Sequence, residues 1–368
     1  MKFTCGRDEL IREISIAQEI IASRNVMSIL SNVMMIVESN SLTIKATDLK
    51  VGFETQIPVE MHNQGRTTVF CDKLLGVLRS LPEGEVEFEL NENMLLNIRP
   101  VFKKIDFQLK CISSEKYPEM VNVEDREFFE FSQKDFVQMI ANTVFSVSDD
   151  ETRYFMNGVY LEKTDDNLVM VASDGKRLSY ISKQIGKNIG DISGLIIPPK
   201  LLNMLRKLLP GEGVLSLCFT EKNVFTRYGN NLLSSNIIDG QFPDYRRVIP
   251  ESQEYEAIVQ KDMLENAIKR VALLVEQKSR RIFLALSEDN LTVSSEESEI
   301  GQAKEEVSCQ YKGPEETIAL NYLFLTEPLK EMEEELVRIA FTEANKAVTV
   351  TSSPEKDYVH VVMPMQAK

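Results

Sequence analysis

The 368-residue chain repeats itself three times, and no other feature restricts its fold as tightly. Three amphipathic segments carry apolar residues at spacings of three and four: "RDELIREISIAQEII" (7–21), "SQKDFVQMIANTVFSV" (132–147) and "VQKDMLENAIKRVALLV" (259–275). Ser132 stands at the N-cap position of the second, with Asp135 in the place of the usual capping-box Glu. A hairpin pattern follows each one, turning at Ser39-Asn40, at Asp165–Asn167 and at Glu288–Asn290. A second helix and a further strand group come next: "CDKLLGVLRSLPEGEVEFEL" (71–90), "PPKLLNMLRKLLPGEGVLSLCF" (199–219) and "LNYLFLTEPLKEMEEELVRIAF" (320–341). Leu-Pro followed by Gly ends the first two helices, and Pro328 predicts that the third begins at that residue. The turn "KYPEM" (116–120) recurs as "QFPDY" (241–245). The order and spacing of these elements divide the chain into copies at 1–122, 123–249 and 250–368. Each copy is predicted to hold two helices and roughly eight short strands, an α+β unit with helices on one face of antiparallel sheet. Three such units in tandem can form an arc, and two arcs whose ends fit can close head to tail into a ring.

The charge is −15 overall and uneven: −3, −2 and −10 over 1–122, 123–248 and 249–368. An acidic chain of this kind is not a general nucleic-acid coat, although a local basic face is compatible with it. The start, "MKFTCGRDELIREI", enters a patterned segment directly and lacks the apolar core of a signal peptide. No run approaches the roughly 20 apolar residues that cross a bilayer. Cys5, Cys71, Cys111, Cys218 and Cys309 are scattered and never form CxxC, which predicts thiols in a reducing, cytosolic compartment.

Catalytic patterns are weak. There is neither a phosphate-binding GxxxxGK[ST] nor a GxGxxG. His62 and His360 read as surface or strand histidines rather than parts of a triad. "SDDE" (148–151) reads as a solvated acidic loop; a metal-dependent hydrolase built on Asp149, Asp150 and Glu151 is the enzymatic alternative. A monomeric three-domain scaffold for peptides is the other. Cysteines and histidines are too dispersed for a zinc site, and no cofactor is predicted.

"RYFMNG" (153–158), "ASDGKRLS" (172–179), "DGQFPDYRRVIP" (239–250), "VVMPMQ" (361–366), "TDL" (47–49) and the opening "MKFTC" resemble, in order and over the full length, the bacterial DNA polymerase III beta subunit, the replicative sliding clamp. The resemblance implies three tandem clamp domains of the processivity fold, dimerising head to tail into a six-domain ring with helices inside and sheets outside. It implies a non-catalytic homodimer that encircles duplex DNA without reading sequence. It also implies a cytoplasmic, nucleoid-associated protein with no membrane contact. The partners implied are the polymerase III alpha subunit, the clamp loader delta subunit, repair polymerases, ligase and mismatch-repair proteins.

By the same resemblance a hydrophobic cleft between the second and third domains takes short partner peptides. Its matching positions are Met156, Ser173, Gly175, Lys176, Arg177, Leu178, Pro243, Arg247 and Val248, completed by Asn321, Phe324, Val361, Val362, Met363, Pro364 and Met365. Met adapts to varied apolar ligands, and Arg247 and Lys176 can pair with polar or acidic parts of a peptide. The positions implied to face DNA are Arg24, Tyr154, Phe155, Lys176 and Lys200, with Arg206, Lys207, Lys269 and Arg270 as further helix cations. At the dimer contact "RPVFKKIDFQLK" (99–110) holds four cations and one Asp, and "EESEIGQAKEE" (296–306) holds five carboxylates and one Lys. Lys73, Arg99, Lys103, Lys104, Glu299, Glu305 and Glu306 supply the charges there, and Phe107, Leu109, Leu273 and Leu274 the apolar contacts. Two departures leave peptide preference open: Lys176 stands where the family often has His, and the chain ends Gln366-Ala367-Lys368. The acids of "PLKEMEEELVR" are expected to point away from DNA or to be offset by Lys330 and Arg338.

Overall fold

In the computed structural model, residues 1–21, 28–121, 123, 126–185 and 192–366 are described. Arg24 and the Ala367-Lys368 end lie outside the described residues. The first copy runs β1 (Lys2–Gly6), α1 (Arg7–Ile20), β2 (Asn32–Glu38), β3 (Ser41–Thr47), β4 (Val51–Pro58), β5 (Glu60–Asn63), β6 (Gly65–Phe70), α2 (Cys71–Ser80), β7 (Glu85–Leu90), β8 (Leu95–Pro100) and β9 (Phe107–Ile112). The second runs β10 (Phe129–Ser132), α3 (Gln133–Ala141), β11 (Val159–Thr164), β12 (Asn167–Ser173), β13 (Arg177–Gln184), β14 (Leu195–Ile197), α4 (Pro199–Leu208), β15 (Val214–Phe219), β16 (Asn223–Tyr228) and β17 (Asn231–Asn236). The third runs β18 (Tyr255–Gln260), α5 (Lys261–Val271), β19 (Arg281–Ser287), β20 (Asn290–Ser295), β21 (Lys304–Gln310), β22 (Glu316–Asn321), α6 (Tyr322–Glu331), β23 (Leu336–Phe341), β24 (Val348–Ser353) and β25 (Tyr358–Val362).

The chain forms two compact units, each built around one antiparallel sheet. The first comprises 1–132 and 212–237 and the second 133–211 and 238–368. In each copy the paired helices pack together and on the sheet, α1 with α2, α3 with α4 and α5 with α6. Leu10, Ile14 and Ala17 of α1 and Leu74, Leu75 and Leu78 of α2 are buried, the stripe that spacings of three and four produce. The hairpin turns are tight. Ser39 and Asn40 both take positive φ, as do Asp165 and Asp289, so the second and third turns are Asp165-Asp166 and Glu288-Asp289, with Asn167 and Asn290 already in strand.

Two joints between copies use the same construction. The third strand after a copy's first helix, β4 or β13, pairs with the last strand of the next copy, β17 or β25. The turn before each is also shared. Asp48 accepts from the N–H groups of Lys50 and Val51, and Asp174 from those of Lys176 and Arg177. Asn236 N–H then donates to the Lys50 carbonyl at 3.0 Å, and Met363 N–H to that of Lys176 at 2.8 Å. The corresponding strand of the third copy, β21, pairs with β20 over 304–308 and with β18 only at Cys309 and Gln310. Likewise β9, the last strand of the first copy, pairs with β8 over 107–110 and with β6 only at Cys111 and Ile112. Among the described residues, 304–308 and 107–110 each leave one edge without a strand partner.

One sequence expectation fails. α6 begins at Tyr322, not at Pro328, which lies inside the helix. Asn321 caps it, its side chain accepting from Leu323 N–H at 3.0 Å. Proline is tolerated there because the carbonyl it leaves open finds another donor, described below.

Candidate functional site

The turn "FPDYRR" is fixed from below. Phe242 and Tyr245 are buried with Val169, Val171, Leu178, Ile196 and Val361, and Phe242 stacks on Tyr160 at 4.9 Å between ring centres. The Glu162 carboxylate on β11 accepts from Tyr245 (2.6 Å), Tyr160 (3.0 Å), Thr164 (3.1 Å) and the Arg246 guanidinium. Arg246 also lies over the Tyr245 ring. Adjacent Arg247 is 85% exposed and, among the described residues, pairs with Asp244 at 2.9 Å. The two arginines therefore have different tasks: Arg246 anchors the turn and Arg247 faces solvent.

Burial pushes the Glu162 carboxyl up, but the bonds from Tyr245 and Tyr160, with Arg246 and Thr164, outweigh it and hold the group below its ordinary value of 4.5. A depressed carboxylate stabilises the fold above the unfolded pKa, and the contribution disappears as pH falls through the folded one. Between about pH 7 and about pH 3 the unaltered chain should lose more melting temperature than Glu162→Gln does. Equal losses would mean that Glu162 is not the titrating anchor.

Of the other positions assigned to the cleft, Gly175 takes φ +85, and a Cβ there would lie 2.8 Å from Arg153 Nη1. The Ser173 hydroxyl donates to the Arg177 carbonyl at 2.7 Å and accepts from Gly175 N–H. Arg177 is buried. It donates to Asp174 at 3.1 Å, to the Phe145 carbonyl and to Glu327, and lies over the rings of Phe324 (4.5 Å) and Phe145 (5.6 Å). It braces the site rather than offering a free charge. Met156, Leu178, Val361 and Val362 are buried, while Lys176, Pro243, Val248 and Met363 are exposed and Phe324, Pro364 and Met365 half-buried. Met365 N–H donates to the Ala319 carbonyl at 2.8 Å, which ties the tail to β22. Core contacts and hydrogen bonds within the second unit thus link β13, α6, the "FPDYRR" turn and the segment after β25.

The helix cations are largely engaged. Arg206 makes a two-pronged pair with Glu331 at 2.7 and 2.9 Å, Lys269 binds Glu265 at 2.6 Å and Arg270 binds Glu305. Lys200 is half-buried and Lys207 exposed, while Tyr154 is exposed with its ring edge-on to Phe155. The offset expected from Lys330 and Arg338 is not what the structure has. α6 stops at Glu331 and Arg338 lies on β23, bonded to Glu256 and Glu355. Glu327, Glu331 and Glu334 are instead matched by Arg177, Arg206 and Lys356.

At the edge strands, Lys73, Lys103, Lys104, Glu299 and Glu306 are exposed and Leu273 is 80% exposed, with Leu274, Phe107 and Leu109 half-buried. Arg99 is held in its own hairpin by Asp106 (3.0 Å) and Glu89 (3.2 Å), and Glu305 is tied to Arg270. In "SDDE", Asp150 caps the short helix Glu151–Met156 by accepting from Thr152 and Arg153. The Thr152 hydroxyl, foremost, holds it below the ordinary carboxylate value. Among the described residues no three His, Cys, Asp or Glu side chains are grouped to hold a metal.

His360, Glu162, Glu327 and Phe145 support the site and are not signalled by sequence, except that Pro328 four residues after Phe324 marks a missing helix hydrogen bond.

A chain of three α+β copies whose edge strands join consecutive copies has the architecture of a DNA clamp. Family models for the DNA polymerase III beta subunit match its N-terminal domain at 1–121, its central domain at 130–244 and its C-terminal domain at 246–366. The chain belongs to the DNA polymerase III beta subunit family. It is 45% identical over 372 residues to a Beta sliding clamp of Treponema pallidum, covering all of both chains. The DNA polymerase sliding clamp of Bacillus subtilis matches with a TM-score of 0.95 at 25% identity, and a Pseudomonas aeruginosa sliding clamp bound to griselimycin with 0.94 at 28%, each covering all of both chains.

Proposed function

We propose that this chain is a replicative DNA sliding clamp, a non-catalytic processivity factor whose homodimer encircles duplex DNA and tethers its partners through the cleft described above. The observation that carries the ring is the repeated joint. β4·β17 and β13·β25 leave β21 and β9 as the two ends of an unfinished series, and a second copy completes it at both ends with the same pairing. Exposed cations beside β9 and carboxylates beside β21 fit that register.

In this reading the copies 1–122, 123–249 and 250–368 are the three clamp domains of each protomer. Arg24, Tyr154, Phe155, Lys176 and Lys200 approach DNA, with Lys207 as a further helix cation. Arg206, Lys269 and Arg270, which hold carboxylates within the chain, are further helix cations on this face. Retention is topological, so phosphate contacts can be weak. The partners are the polymerase III alpha subunit, the clamp loader delta subunit, repair polymerases, ligase and mismatch-repair proteins, in the cytoplasm. No helix among the described residues is long and apolar enough to cross a membrane. Griselimycin, found on a relative, is expected to bind the cleft.

Retention tests the proposal. Protein placed by its cognate loader on nicked circular plasmid should stay bound at a salt concentration that strips linear DNA, and should dissociate once the plasmid is cut. Release governed by salt alone, equal on circle and line, would refute the ring.

A further inference from the structure

α6 carries a proline in its interior, Pro328. Pro328 has no N–H for the carbonyl four residues back, which is that of Phe324. That carbonyl has a replacement donor: His360 Nε2 on β25 lies 2.9 Å from it. A carbonyl only accepts, so Nε2 carries the proton. In the neutral ring Nδ1 is then the lone-pair nitrogen, and it accepts from the Ser179 hydroxyl at 2.8 Å. The Ser179 oxygen in turn accepts from the Ser146 hydroxyl, also at 2.8 Å. His360, Ser179 and Ser146 are fully buried. Burial, and secondarily the nearby Arg177 guanidinium, pushes the imidazole down to about 3, so it is neutral at physiological pH.

The relay joins the short helix Val144–Ser146 and β13 of the central copy to β25 and α6 of the C-terminal copy. Its end point is the backbone of Phe324, whose ring lies under Arg177. Arg177 also holds the Phe145 carbonyl, and the Phe145 ring is 5.8 Å from that of His360. Phe324 is thus held twice, by its backbone through His360 and by its ring through Arg177.

We propose that His360 is a positioning residue for the cleft: it supplies the hydrogen bond that Pro328 cannot, and so fixes Phe324 where its ring forms the cleft wall. This rests on the cleft reading above. An apolar residue at 360 would fill the same space but leave the Phe324 carbonyl without its donor.

The test is a double-mutant cycle on the full chain with griselimycin as probe, reading affinity by calorimetry and melting temperature by scanning. His360→Leu should bind about tenfold more weakly and melt lower. Pro328→Ala alone should resemble the unaltered chain. Adding Pro328→Ala to His360→Leu should restore binding to within about threefold and recover the melting temperature, because residue 328 then donates to the Phe324 carbonyl itself. His360→Gln, which keeps an amide donor, should bind as the unaltered chain does and serves if His360→Leu does not fold. Histidine nitrogen NMR should show the neutral Nε2-protonated tautomer. Full binding by His360→Leu, failure of Pro328→Ala to rescue it, or an Nδ1-protonated ring would each overturn the proposal. If the unaltered chain does not bind griselimycin, the cleft reading fails first. The melting cycle then separately shows whether His360 replaces the missing N–H.

Discussion

A Glu306→Pro chain is expected to sediment as a monomer at micromolar concentration, where the unaltered chain sediments as a dimer. Cys309 N–H donates to the Asp289 carbonyl, which sets the alternation along β21 so that odd-numbered residues bond toward β20. The N–H groups of Lys304, Glu306 and Ser308 therefore point to the unpaired edge. The same parity, set on β9 by Cys111 N–H donating to the Met94 carbonyl, turns those of Gln108 and Lys110 outward. Proline at 306 removes an outward donor and places its ring in the path of an incoming strand, while the inner ladder to β20 is untouched. Proline there leaves a carbonyl of the incoming strand buried without its donor, a cost of about 1–3 kcal/mol. A closed ring has two identical joints, so the dimer loses about 2–6 kcal/mol, or roughly one and a half to four orders of magnitude in affinity. Exposed ion pairs such as Lys304–Glu306 at 3.7 Å contribute at most about 1 kcal/mol each, so charge reversal at the edge should do far less than proline. A Glu306→Pro chain that stays dimeric with its melting temperature intact would exclude β21 as the closing edge.

The repeat was legible because helix and strand periodicities are local, and so were the hairpin turns, where Asn and Asp accept positive φ at little cost. The start of α6 was misread for an equally physical reason. Proline is a reliable N-terminal signal only when no outside donor serves the carbonyl it exposes, and here His360 does so from 36 positions away. The charges were the least legible part. Arg206 and Glu331 stand 125 positions apart and Arg177 and Glu327 150 apart, so nothing local marks them as pairs. Arg246 and Arg247 are neighbours in sequence, yet only Arg246 meets Glu162, because the short helix Tyr245–Arg247 directs the two side chains differently. The cleft residues themselves came from family resemblance. Composition alone would leave "VVMPM" an edge strand, whereas up to Val362 it is an inner strand paired with both β13 and β24.

Removing residues 363–368 is expected to abolish griselimycin binding while the chain still folds, dimerises and stays on circular DNA. Val362 is the last residue of β25, so the pairing of β25 with β13 and β24 survives the cut. What is lost is the backbone anchoring of Met363 to Lys176 and of Met365 to Ala319 and the bond from the Arg281 guanidinium to the Gln366 carbonyl, together with the side chains of Met363, Pro364 and Met365. Those two backbone bonds are worth about 1 kcal/mol each in stability, a loss a folded domain of this size tolerates. Each methionine that a ligand covers contributes roughly 1.5–3 kcal/mol of burial, so losing both weakens binding by at least about a hundredfold. The edge strands β9 and β21 lie outside the deleted segment, and the cations proposed to approach DNA do too, so encircling and tethering should separate cleanly. Griselimycin binding that survives the deletion would place the ligand site elsewhere on the chain. Loss of DNA retention along with binding would mean that the tail also serves ring closure, acting through Arg281, which bonds both the Gln366 carbonyl and Glu296.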